Sequence, residues 1–260
     1  MPVRGANSKS FVSALGEGLQ TPLEGFAYLN RNPGLWRFAI IPILVNLAIT
    51  LSLLAALIYA AFALDHWLDA HLPAGMIGSA LKFLAILLLI VVALAISVGA
   101  WLLLGGVLCG YFYGLLAMRI ELALGTPRHE LEELSIYYQT VDVLRDFAAL
   151  TAVNLGYLLL GFVPVVGPPV ALVGSTYFNC FIFGVEYLDF PLALRGMRRR
   201  EKWQFARAHR GHTLGLGAIV LLLNFIPVLG SVLLASAAVG SVLLYRRISP
   251  SASLSPTAPA

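Results

Sequence analysis

A chain of 260 residues with 59% hydrophobic and 12% charged residues and a mean hydropathy of +0.86 carries about half the charge of a soluble domain, for which about 25% is usual. That balance excludes a soluble globular protein and points to an all-α integral membrane protein. The net charge of +4 matters less than where the charges fall, and nothing in it points to nucleic acid.

Residues 1–37 lack the regions of a secretory signal, so the N-terminus is expected to stay on the side where it is made. Over residues 8–30, Phe11, Leu15, Leu19, Leu23, Phe26 and Leu29 recur at spacings of three and four against Lys9, Glu17, Gln20 and Glu24. This predicts an amphipathic helix at the membrane interface, broken or bent at Pro22. Asn32 followed by Pro33 predicts an N-cap with proline at the first helical position. It opens a transmembrane helix over residues 38–64, an uncharged run of 27 residues. A second uncharged run, residues 83–118, has 36 residues. As one helix it is about 54 Å long, more than a hydrocarbon core of ~30 Å requires, so a kink near Gly105 and Gly106 or protrusion into water is expected. The connection 65–82 holds Asp65, Asp69 and Lys82, and sixteen of the seventeen Lys and Arg lie elsewhere. The positive-inside rule makes that connection periplasmic and both termini cytoplasmic.

Residues 119–146, of net charge −3, read as a cytoplasmic helical region. Two apolar segments follow, 147–185 and 214–245, each split by one recurring string. Phe162-Val163-Pro164-Val165-Val166-Gly167 returns 63 residues later as Phe225-Ile226-Pro227-Val228-Leu229-Gly230. Proline removes a backbone donor and glycine permits positive φ, so Pro164, Gly167, Pro227 and Gly230 suit chain reversals. The four arms hold 16, 16, 13 and 17 residues, short of the ~20 of a full span, which predicts two re-entrant hairpins. Two ordinary hairpins that cross the bilayer, with tips in the far headgroups, are the other reading. Between them, residues 186–212 have net charge +4 and face acidic lipid headgroups or the acidic region before them. Residues 248–260, rich in Ser, Pro and Ala, read as a disordered tail.

Few residues suggest chemistry. Asn32-Pro33-Gly34-Leu35-Trp36-Arg37 sets the amides of Gly34 and Leu35, at a helix start, beside a guanidinium, an arrangement suited to a tetrahedral oxyanion. The alternative is that Trp36 and Arg37 only anchor the helix at the interface. Gly106, Gly110 and Gly114 form a stripe for close helix packing, within the protomer or against a second copy. Asn46, Asn154, Asn179 and Asn224 suit interhelical hydrogen bonds better than a polar path. Glu186 and Asp189 either pair with the arginines that follow or gate an ion. Cys109 and Cys180 lie in apolar runs and make no disulfide framework. No HExxH pair, Walker loop, GxSxG elbow or dinucleotide fingerprint is present, so neither an enzyme nor a cofactor or metal is expected.

From about Phe11 to Arg247 the chain resembles the CysZ-type sulfate permeases and the wider etoposide-induced membrane protein family. The resemblance rests on Asn32-Pro33-Gly34-Leu35-Trp36-Arg37-Phe38 running into Ile41-Pro42-Ile43-Leu44-Val45-Asn46, on the two Phe-x-Pro-x-x-Gly tips, and on Glu186-Tyr187-Leu188-Asp189-Phe190-Pro191. It implies an inner-membrane importer of sulfate or a related oxyanion, with two long transmembrane helices and two hemi-penetrating hairpins, assembled as a homo-oligomer. It also implies that the anion is held at Gly34, Leu35 and Arg37, where relatives carry a Gly-Leu-Arg-Arg-like stretch. Here Trp36 replaces the first arginine. The alternative is a non-transporting membrane organiser that binds anionic lipid or a partner protein.

Overall fold

The computed structural model describes residues 10–71, 75–104, 109–132 and 136–249, and every regular element among them is helical. In chain order these are α1 (Phe11–Arg31), α2 (Trp36–His71), α3 (Met76–Leu104), α4 (Gly110–Ala123), α5 (Ile136–Leu160), α6 (Gly167–Ala193), α7 (Arg199–Ala208), α8 (Arg210–Leu223) and α9 (Pro227–Ile248). Among the described residues, the stretches Pro33–His71, Thr140–Leu160 and Gly167–Ala193 are long and apolar enough to cross a membrane. The fold is that of an all-α membrane protein.

Its core is built from α1, α4, α6, α8 and α9, and glycine sets how closely they approach. A Cβ on Gly18 would sit 2.4 Å from the His212 carbonyl oxygen of α8, one on Gly25 1.9 Å from that of Ser236 on α9, and one on Gly240 2.1 Å from that of Thr21. α1 therefore has three faces. Ala14, Gly18, Thr21 and Gly25 pack inward; Phe11, Val12, Leu19 and Leu23 stay exposed; Glu17 and Glu24 pair with His212 at 3.3 Å and Arg247 at 2.7 Å. Of the break or bend expected at Pro22, the break does not occur. Pro22 removes one hydrogen bond, but the close packing of α8 and α9 on either side of it holds the turn.

Two stretches of the sequence are subdivided in the fold. The run 83–118 is divided between α3 and α4; its expected kink at residues 105 and 106 lies outside the described residues. α3 packs chiefly on α2, whereas α4 enters the core beside α9 and buries Tyr113, Leu116, Ala117 and Ile120. Neither part of the run carries a charge, so sequence alone merges a lipid-facing and a core-facing helix. The helical region 119–146 is divided in the same way. Gly125 at φ +89° ends α4, with the Thr126 N–H donating to the Glu121 carbonyl at 3.0 Å in a left-handed cap. Pro127 and a short 3₁₀ turn, Arg128–Glu130, follow, and the rest of the segment belongs to α5. On the opposite side of the long helices, Lys82 of α3 clasps Asp65 at 2.8 Å and Asp69 at 2.6 Å on α2.

Both repeated strings reverse the chain. A Cβ on Gly167 would lie 2.1 Å from the Leu160 carbonyl oxygen, and one on Gly230 the same distance from that of Leu223, so each glycine lets the returning helix cross the end of the outgoing one. The closures differ. α9 starts at Pro227, while residues 164–166 form a turn before α6 starts at Gly167. Pro168 and Pro169 cannot donate to the carbonyls of Pro164 and Val165, so no helix starts there; Ser231 and Val232, at the matching places, keep their N–H groups. Val165 consequently takes φ +68°, an unfavourable region for a β-branched residue. α5 and α6 have 25 and 27 residues and α8 has 14. The first two are longer than their apolar arms because turns bearing Asp142, Asp146, Glu186 and Asp189 continue them past the apolar stretch.

Candidate anion site

Asn32 ends α1 instead of capping α2. Its Nδ2 donates to the Tyr28 carbonyl at 3.0 Å, and it makes no side-chain cap to the following helix. Pro33–Leu35 then form a single 3₁₀ turn in which the Leu35 N–H donates to the Asn32 carbonyl at 2.9 Å. The Leu35 amide, expected to face an anion, is thus committed to the turn. Gly34 is exposed, and a Cβ added to it would meet nothing within 4 Å, so its backbone is open to a ligand. Trp36 faces α1, its ring edge-to-face with Phe26 at 5.8 Å.

Arg37 points to Phe38, its Cζ 4.8 Å from the ring centroid. Arg119 of α4 approaches the same ring at 5.0 Å. Tertiary structure therefore assembles two guanidiniums around one aromatic side chain, each gaining about 0.5–1 kcal/mol from the ring at an exposed site. Both arginines are exposed, and among the described residues neither is within ion-pair distance of a carboxylate.

Nearby cations are neutralised inside the protein. Glu121, fully buried on α4, contacts Arg195 at 3.0 Å and Arg246 at 3.2 Å; these are ionic contacts whose angles fall short of hydrogen bonds. Thr126 completes the cluster, donating to Glu121 Oε2 at 2.7 Å and accepting from Arg246 Nη2 at 2.6 Å. Arg199 binds Asp146, which holds its guanidinium above its ordinary pKa, and Lys202 binds Asp189 at 2.6 Å. Glu186 and Asp189 were expected to pair with the arginines that follow; Asp189 pairs instead with Lys202, and Glu186 makes no ion pair among the described residues.

The sequence pattern of the family described as "Sulfate transporter CysZ/Etoposide-induced protein 2.4" matches residues 21–234. The chain belongs to this family. Among relatives, the sulfate transporter CysZ of Pseudomonas fluorescens (strain Pf0-1) is 28% identical over 226 residues, covering 83% of this chain and 88% of its own length. Those of Pseudomonas paraeruginosa (strain DSM 24068 / PA7) and Vibrio atlanticus (strain LGP32) are 25% and 24% identical, covering 90% and 86% of this chain. By these names the CysZ family is one of membrane transporters and not of enzymes.

Within that family frame, the expected residues Gly34, Leu35 and Arg37 lie together at the start of α2, and Arg119, which sequence reasoning did not single out, joins Arg37 at the Phe38 ring. A signal existed: Arg119 is the first charge after an uncharged run of 36 residues. Of the expected glycine stripe, Gly106 lies outside the described residues and Gly114 is buried. A Cβ on Gly110 would meet nothing within 4 Å, so Gly110 is not a close packing contact in this chain. Asn154 and Asn179 bind each other across α5 and α6, at 2.8 and 3.1 Å, as interhelical glue.

Proposed function

We propose that the protein imports sulfate or a related oxyanion across the inner membrane, with Arg37, Arg119 and the Gly34 amide forming a cytoplasmic anion site. The observation that carries this reading is the pair of guanidiniums on the Phe38 ring. Two like charges on one ring repel, and a divalent tetrahedral anion relieves that repulsion while accepting charge-assisted hydrogen bonds from both. The names of the relatives support sulfate as the substrate. Arg119 also supplies the second guanidinium that Trp36 removes from the helix start, so the chain keeps two by drawing one from α4. With both termini cytoplasmic, Arg37 meets the anion as it leaves the membrane. Gly110, open within the protomer, and the uncovered apolar surfaces of α2 and α3 suit assembly as a homo-oligomer.

Radiolabelled sulfate uptake into proteoliposomes tests this. Removing a hydrogen bond to a charged group costs about 1.5–3 kcal/mol, so Arg37→Ala and Arg119→Ala should each lower uptake at limiting sulfate by about tenfold or more, with thiosulfate, molybdate and phosphate ranked as competitors. No flux above empty vesicles, from folded protein, replaces the proposal with a non-transporting membrane organiser.

A further inference from the structure

The basic side chains of α7 and the start of α8 divide into two sets. Arg199 and Lys202 turn inward to Asp146 and Asp189. Arg200, Arg207 and Arg210 are exposed, and among the described residues none of them pairs with a carboxylate. Arg200 and Arg207 are seven residues apart on α7, two turns along one face, and Trp203 lies between them, with the Arg199 and Arg207 guanidiniums each 5.7 Å from its ring.

What these arginines adjoin suggests their partner. Arg210 opens α8, an apolar helix, and the next residue, Gly211, touches α1: a Cβ there would lie 2.8 Å from Ala14 Cβ and 3.1 Å from the Phe11 carbonyl oxygen. At that point α1 exposes Phe11 and Val12, the first residues of an apolar stripe continued by Leu19 and Leu23. An uncovered apolar stripe beside unneutralised arginines and a tryptophan is the composition of a surface that meets lipid headgroups above and acyl chains below.

We propose that Arg200, Arg207 and Arg210 form a docking surface for anionic phospholipid headgroups, seated where the start of α1 enters the acyl boundary. The surface is separate from Arg37 and Arg119 and does not depend on the transport reading. Each such arginine is worth about fivefold in partition toward an anionic membrane surface.

Native mass spectrometry of the full chain in detergent, titrated with phosphatidylglycerol or phosphatidylcholine, reads the preference directly. The wild type should retain phosphatidylglycerol at least about tenfold better. The triple variant Arg200→Gln, Arg207→Gln, Arg210→Gln should bring the two lipids within about twofold. Lysine at the same three positions keeps the charge and should keep most of the preference. Arg37→Ala should leave it unchanged while impairing uptake, which separates this test from the transport test. Persistence of the preference in the glutamine variant, its equal loss in the lysine variant, or displacement of the lipid by inorganic sulfate overturns the proposal. An absence of preference in the wild type also overturns it, and leaves the face to an acidic protein segment.

Discussion

Hairpin α8–α9 and hairpin α5–α6 turn on the same Phe-x-Pro-x-x-Gly string, yet one is sealed into the core and the other leaves its outer half uncovered. Along α9, Leu234 to Val242 are all buried, and most of these side chains are small. Along the outer halves of α5 and α6, Leu155, Leu158, Leu159, Leu172 and Val173 are exposed. Both tips project large apolar side chains, Phe162 at 78% exposure and Phe225 at 77%, so the tip does not set the fate of the arms. Small residues do. In lipid there is little hydrophobic gain from helix association, and backbones that approach closely gain packing; α8 and α9 offer that to α1 and α6, and the leucine-rich arms do not.

That contrast breaks most severely at Glu121, which ties the bases of both hairpins together through Arg195 and Arg246. Glu121→Ala leaves two arginines without their carboxylate, one of them largely buried, and should cost about 3–5 kcal/mol, read as a lower midpoint in thermal unfolding of the detergent-solubilised protein. Next come the glycines. Gly240→Ala places a methyl against the Thr21 carbonyl and should destabilise by about 1–3 kcal/mol or more, whereas Gly156→Ala on α5, where a Cβ meets nothing within 4 Å, should be neutral or stabilising by up to about 1 kcal/mol. Equal effects at the two sites would erase the distinction between a packed and an uncovered hairpin. Asn154→Leu removes the one side-chain bond pair described between α5 and α6 and should cost about 0.6–1.7 kcal/mol; uptake measured alongside should hold if the pair is glue. The smallest change is at the first tip: Val165→Gly relieves a positive φ and should stabilise by up to about 1 kcal/mol, while the same change at the matching Val228 should destabilise a helix by a similar amount.

Much of this was legible in the residues. Uncharged runs announced membrane helices, the repeated string announced two reversals, and Arg37 beside Gly34 suggested the candidate site that the proposal develops. Three readings needed the neighbours that a local pattern does not know. Asn32 has the composition of an N-cap, but its backbone and side-chain N–H groups bind back to carbonyls of α1, and its side chain accepts no capping bond from the helix that follows. Gly110 belongs to a periodic glycine stripe expected to pack within the protomer or against a second copy, and within the protomer it makes no close contact, whereas Gly18, Gly25, Gly217 and Gly240 do. Pro22 is a helix breaker in isolation and is carried by the helices on either side.

By itself the sequence determined the membrane class and the two chain reversals, and pointed to Arg37 as a candidate for an anion, because hydropathy, the missing proline N–H and the reach of an arginine beside a helix start are properties of neighbouring residues. Only tertiary structure decided which apolar helices face lipid and which face protein, and which arginines remain unneutralised. Glu121 and Arg246 are 125 positions apart, and Arg37 and Arg119 82; whether a charge is answered depends on what folding brings within a few ångströms of it, and that distance is not written along the chain.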